Sequence, residues 1–245
     1  MPRVVNEEEF AVRKNEILDA AQRLVFTKGY EMMSIQDILD EMGISKGAFY
    51  HYFQSKPALM EALALRIEEE AFRFLGPILE ESGLSALEKL ERFFATTARW
   101  KTGQRAYLTA FLRVWYDDTN AVMRLRIADR GFRRLMPLIG DAVRQGVREG
   151  VMQTEYTDSI GQVLISLFLG LGDATAKQLL SLNPDSGPEE RNQSFNRMVD
   201  AVTAYTNAIE RVLGVAPGKM KFFDLDILKE WVSPLDEVIP APAPI

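Results

Sequence analysis

Apolar residues recur three and four positions apart along most of the chain, and no run alternates with a period of two, so the pattern predicts an all-α protein. Ile17, Ala21, Leu24 and Val25 form the stripe of a first helix running from near Glu7 to Gly29, a residue suited to a helix C-terminus. Ser34 stands three residues before Asp37, the spacing of a capping box, which predicts a second helix from Ile35 to about Met42, ended by Gly43. Ser45 then caps a third helix and Ser55 a fourth, with Pro57 in its first turn and Leu59, Leu63 and Ile67 on its stripe. That fourth helix is expected to cover 58–80, and further helices are expected at 84–101, 105–116, 119–149, 156–182, 189–213 and 219–232. Gly76-Pro77, Gly83, Gly103, Asp117-Asp118, Gly150, the run 183–188 and Gly214 to Gly218 punctuate them. The proline-rich end "SPLDEVIPAPAPI" reads as an extended tail.

Composition narrows the chemistry. The 245 residues are 47% hydrophobic and 26% charged, as in soluble globular proteins. There is no cysteine and one histidine, which excludes disulfides, thiolate metal sites and imidazole-rich metal sites. No catalytic constellation, phosphate-binding glycine loop or cofactor motif is evident, so neither an enzyme nor a cofactor is expected. The opening "MPRVVNEEEF" is acidic and lacks the apolar run of a secretory signal, so a cytoplasmic location is expected. The apolar stretch "VLISLFLGLG" at 163–172 is shorter than the roughly 20 residues that span a bilayer and is expected to be a buried helix, with no membrane partner.

The net charge of −6 argues against a nucleic-acid partner when taken as a sum. Its distribution argues otherwise, because "SKGAFYHYFQSK" at 45–56 contains two lysines and no acid. Projected on a helix with Phe49 at zero, Phe53 falls near about 40° and Tyr52 near about 300°, facing the core or its margin. Lys46, Gly47, Tyr50 and His51 share the other face. A short helix after a tight glycine-containing turn, with a flat polar face, is what the major groove of DNA admits. Gly47 lowers the surface where backbone would approach a duplex. Lys46 can neutralise a phosphate or reach guanine, Tyr50 and His51 can donate to phosphates or base edges, and Lys56 suits a phosphate at the next helix N-terminus. The competing account makes the aromatic run core packing and the three serines, Ser34, Ser45 and Ser55, helix caps only.

Residues 34–63, "SIQDILDEMGISKGAFYHYFQSKPALMEAL", closely resemble the DNA-binding segment of the TetR (tetracycline repressor) family of bacterial regulators. The resemblance rests on Ser34, Ile38, Gly43-Ile44-Ser45, Gly47, the run Phe49 to Phe53, Ser55-Lys56 and Leu59, and it extends to the first helix from Ile17. Leu39, where the family commonly has alanine, and Phe49, where leucine is common, depart from its pattern. The resemblance implies a three-helix helix-turn-helix domain over 1–57, with Ser34, Ser45, Lys46, Gly47, Tyr50, His51 and Lys56 at DNA. It also implies a helical-bundle domain over 58–214 for ligand binding and dimerisation. An extra helix over 215–232 and a Pro-rich tail over 233–245 exceed the family's minimal form.

Within that body, Trp100, Tyr107, Phe111, Trp115 and Tyr116 are the expected pocket lining, against the alternative of ordinary core packing. Leu164, Phe168, Leu171, Val199, Val202, Tyr205 and Ile209 lie on broad apolar faces that, by analogy with the family, pair across a two-fold axis. The alternative is burial inside one subunit. The combined reading is a homodimeric repressor that binds a two-fold symmetric operator and is released by a small organic effector. Rival readings are a helical small-molecule-binding protein or enzyme without DNA function, and a helical adaptor acting through 219–232.

Overall fold

The computed structural model of the protein describes residues 7–183 and 185–234, and these are helical with no strand among them. The expected tail lies outside the described residues from position 235 onward. Contacts divide the described residues into two compact units: one contains 7–68 and 106–124, the other 69–105, 125–183 and 185–234. This differs from a division at residue 57, since the start of the fourth helix and nearly all of the sixth cluster with the N-terminal helices.

In the first unit, α1 (Glu7–Lys28), α2 (Ile35–Met42) and α3 (Lys46–Tyr52) precede α4 (Lys56–Glu80). The bounds of α2 follow from its ends. Ser34 Oγ accepts from the Asp37 N–H while the Asp37 carboxylate accepts from the Ser34 N–H, and Gly43 closes the helix in the left-handed region at φ 62°. Ile17, Leu18, Ala21, Leu24 and Val25 of α1, Ile38 and Leu39 of α2, Phe49 of α3 and Leu59, Met60 and Leu63 of α4 are all buried. Polar ties reinforce this arrangement: Lys28 pairs with Asp37 at 2.6 Å, Arg23 with Glu41 at 2.7 Å, and Arg66 with Asp19 at 2.6 Å. Also in this unit, from Ala106 onward, α6 (Arg105–Trp115) is followed by a 3₁₀ turn, Asp118–Asn120, whose start Asp117 caps by accepting from the Thr119 N–H at 2.8 Å.

The second unit contains α5 (Ala86–Gly103), most of α7 (Ala121–Arg148), α8 (Ile160–Ser181), α9 (Pro188–Leu213) and α10 (Leu225–Val232). Gly76-Pro77, expected as a boundary, lies inside α4, which continues to Glu80 because Leu75 and Leu79 are anchored in the core on either side of the proline. That core unites Leu90, Phe93 and Phe94 of α5, Ile139 and Val143 of α7, Leu164 of α8, Ile209 and Leu213 of α9, and Phe222, with Phe94 stacked on Phe168 at 3.7 Å between ring centroids. A smaller cluster joins Leu171 of α8, Met198 and Val202 of α9, and Leu228 and Val232 of α10.

The last helix begins at Leu225 rather than 219, because residues 219–224 are drawn out along the unit with Met220 and Phe222 buried, and Asp224 caps the helix by accepting from the Asp226 N–H at 2.9 Å. The apolar segment 163–172 belongs to a 22-residue helix, α8, long and apolar enough to cross a membrane by length and composition. It is not a fully buried helix as expected: Leu164, Ile165, Leu171 and Ala176 are buried, whereas Val163 and Leu169 are 40% and 39% exposed.

Candidate nucleic-acid interface

The turn Gly43-Ile44-Ser45 redirects the chain between α2 and α3, and Ser45 starts α3 by accepting from the Ala48 N–H at 3.2 Å. From there the helix divides its side chains between two surroundings. Phe49 is fully buried and Phe53 nearly so, their ring centroids 5.9 Å apart. Lys46, Gly47, Tyr50 and His51 are exposed together, and the first turn of α3 carries no acid. The Lys46 ammonium lies 6.0 Å from the centroid of the Tyr50 ring, which stands edge-on to Phe49 at 5.5 Å. A Cβ added at Gly47 would meet nothing nearer than Ser45 Oγ at 3.9 Å, so no neighbour within the chain demands glycine there.

His51 stands edge-on to both Phe10, at 5.5 Å, and Tyr52, at 5.0 Å, while Phe10 packs on Tyr52 at 4.7 Å. The first turn of α1 therefore braces α3 through Phe10, a residue the apolar stripe of α1 did not single out. Its signal was only an aromatic after three acids.

The expected site residues on either side of α3 are partly committed elsewhere. The Ser34 hydroxyl accepts from the Asp37 N–H and donates to the Asp37 carboxylate at 2.9 Å, so its first task is the capping box. The Asp37 carboxyl is held down to about 2 by hydrogen bonds from Lys28, then from the backbone and hydroxyl of Ser34. Lys56 is half-buried; its ammonium lies 4.1 Å above the Tyr30 ring and 3.4 Å from the Glu31 carbonyl, tying the start of α4 to the α1–α2 turn. Burial, then Glu31 and Asp117, push the Tyr30 phenol up. Tyr30 is thus a platform for Lys56 that the sequence reading missed, since a pair 26 positions apart leaves no periodic trace.

The expected pocket residues do not form a single group within one unit. Tyr107 and Phe111 are buried and continue to Trp115 as a ladder on α6, with ring centroids 6.1 and 5.8 Å apart. Tyr116 lies under the Arg124 guanidinium at 5.1 Å, and Arg124 donates to the Trp115 carbonyl at 2.6 Å. Trp100 lies on α5 in the second unit and is half-buried. An open cleft of 640 Å³ between α9 and α10, walled by Asn192, Phe195, Leu225 and Lys229, involves none of these residues.

Four of the seven expected dimer residues, Leu164, Leu171, Val202 and Ile209, are 1–7% exposed inside the second unit and present no surface to a partner. Val199 packs against the cluster that α10 closes over α9. Tyr205 fills the space above Gly170 of α8, where an added Cβ would lie 2.5 Å from its hydroxyl, and Phe168 is stacked on Phe94. The faces of α8 and α9 left open carry instead Val163, Ser166, Leu169, Thr203 and Ala204.

Residues 17–63, from the middle of α1 to the first third of α4, match the family model of bacterial regulatory proteins, tetR family. An uncharacterized HTH-type transcriptional regulator in the lacX 3′ region of Lactococcus lactis is 54% identical over 144 residues, covering 56% of this chain and 67% of that protein. The HTH-type transcriptional regulator UidR of Escherichia coli K12 is 30% identical over 169 residues, covering 68% of this chain and 83% of its own length. Among solved structures, a transcriptional regulator from Cytophaga hutchinsonii aligns with a TM-score of 0.59 at 18% identity, over 79% of this chain and 96% of that one, which speaks for the fold alone. A capped helix-turn-helix inside the matched segment, together with relatives matched over two thirds or more of their length, shows that the chain belongs to the TetR family of bacterial transcriptional regulators, DNA-binding proteins and not enzymes.

Proposed function

We propose that the protein is a homodimeric, ligand-responsive repressor, acting in the cytoplasm, that docks α3 in the major groove of a two-fold symmetric operator and is released by a small organic effector. The observation that carries this reading is the division of α3: an anchored aromatic side of Phe49 and Phe53, and an exposed, acid-free side of Lys46, Gly47, Tyr50 and His51. Gly47, without a crowding neighbour in the chain, leaves room for a duplex to approach the backbone. Residues 1–57 supply the DNA-binding part in this account, and the helices beyond it supply the ligand and dimer functions.

Two recognition helices are required because one seven-residue helix covers too few base pairs, and successive major grooves lie about 34 Å apart. The pairing surface is the open face of α8 and α9, where Ser166, Thr203 and Ala204 permit close approach and Val163 and Leu169 supply apolar area. This replaces the buried positions expected from sequence. The aromatic ladder Tyr107, Phe111 and Trp115 is the candidate wall for the effector, which acts only through its different affinities for two arrangements of the body.

The test is a fluorescence-anisotropy titration of duplex DNA from upstream of the gene against a shuffled duplex, at several salt concentrations. Specific binding at least roughly a thousand-fold tighter than to the shuffled duplex is expected at physiological salt. Equal affinity for both duplexes rules out a specific regulator.

A further inference from the structure

The segment after α9 returns along the second unit and is held at both ends by groups of the body. Near its start, the buried Glu210 carboxylate accepts from the Gly218 and Met220 N–H groups, each at 2.9 Å, and Glu91 accepts from the Lys221 N–H at 2.8 Å. At its far end, Trp231 Nε1 donates to Thr102 Oγ1 at 2.9 Å, Arg191 donates to the Val232 carbonyl at 2.8 Å, and Arg105 donates to the Ser233 carbonyl. The carbonyls at the end of α10, which no further helical turn can satisfy, are thus taken up by arginines of the body. Eight residues do not make a stable helix alone, so α10 exists only while docked.

Two of these anchors flank one place in the chain. Thr102 is in the last turn of α5 and Arg105 is the first residue of α6, on either side of the break at Gly103-Gln104. Arg105 is also the last residue of the second unit before the chain enters, at Ala106, the unit that contains α3. A fixed junction passes less freedom to α6 than a loose one. An element left loose must be ordered when DNA binds, which costs affinity.

We infer that α10 is a latch on the α5–α6 junction: docked, through Trp231 to Thr102 and Arg105 to Ser233, it holds the start of α6 and keeps the protein competent for tight DNA binding. This rests on the DNA-binding reading above. The latch opens by local unfolding of α10, without loss of the global fold.

The experiment is amide hydrogen exchange with DNA titration on the full chain, comparing wild type, Trp231→Phe, Thr102→Val and the double variant. Trp231→Phe keeps an aromatic ring but removes the donor; Thr102→Val keeps the shape but removes the acceptor, together with the hydroxyl's own bond to the Ala98 carbonyl at 2.9 Å. Each single change should raise exchange at 228–233 and at 109–113 by about five-fold, the equivalent of one neutral hydrogen bond, and weaken DNA binding two- to five-fold. The double variant should match Thr102→Val, because once the Thr102 hydroxyl is gone the Trp231 donor has no bond left to lose. Faster exchange confined to 228–233, with unchanged exchange at 109–113 or unchanged or tighter DNA binding, overturns the latch. A wild type with no DNA preference defeats the functional reading, whereas wild-type binding with inert variants defeats only the latch.

Discussion

Neighbouring residues of α3 should fail in opposite ways when cut back to alanine. Phe49 is fully buried and touches Phe53 and Tyr50 through ring centroids 5.9 and 5.5 Å away. Its truncation removes a fully desolvated ring and leaves a cavity, at a cost of about 3–5 kcal/mol. For a chain of this size each kcal/mol lowers Tm by about 2–4 °C, so Phe49→Ala should melt roughly 6–20 °C early. Tyr50, 43% exposed, loses little beyond its edge contact with Phe49, about 0.5–1.5 kcal/mol. Its cost falls on DNA instead, about 1–3 kcal/mol if its hydroxyl reads a base, or roughly 5- to 150-fold in affinity. Thermal unfolding followed by far-ultraviolet circular dichroism, with anisotropy titrations on folded protein, separates the two effects. If Tyr50→Ala melted as early as Phe49→Ala, or bound the operator like wild type, the assignment of one face to the core and the other to DNA would be wrong.

Other expectations follow from single contacts. The Asp37 carboxyl is lowered to about 2, so its contribution to stability is present above the ordinary carboxylate range and disappears as the pH falls through about 4 to 2; Asp37→Asn should flatten acid unfolding in that window, and an unaltered acid profile would show that Lys28 and Ser34 do not hold the charge. Leu169→Glu, at an exposed position of α8, should convert dimers to monomers in sedimentation velocity with little change in Tm, and retention of the dimer would move the interface elsewhere. Gly170→Ala should cost about 1–3 kcal/mol, because the new Cβ would lie 2.5 Å from the Tyr205 hydroxyl, and Tyr205→Phe in the same chain should recover part of it; no recovery in denaturant titrations would mean that this approach is not what glycine serves.

What could be read from sequence was local. The bounds of α2 were legible because Ser34, Asp37 and Gly43 act within a few residues of one another, and the two faces of α3 were legible because helical period alone sorts Phe49 and Phe53 from Lys46 and Tyr50. What covers an apolar stripe was not legible. Val199 and Val202 made α9 amphipathic, but only the return of the chain after Gly214 decided that α10 packs over that face. Lys56 likewise looked free beside a helix N-terminus, yet Tyr30 and the Glu31 carbonyl, brought to it by the fold, already engage it. Proline at 77 misled for the opposite reason: buried leucines on both sides outweigh the lost hydrogen bond and carry α4 through it.

Two copies of α3 reading one DNA site is the step on which the proposed function depends. A footprint of the purified protein on its own upstream DNA tests this most directly. One protected window of two-fold symmetry is expected, with the strongest protection in two adjacent major grooves about one helical turn apart, and loss of both patches together in Tyr50→Ala. Protection of a single groove, or uniform protection without sequence preference, would contradict it.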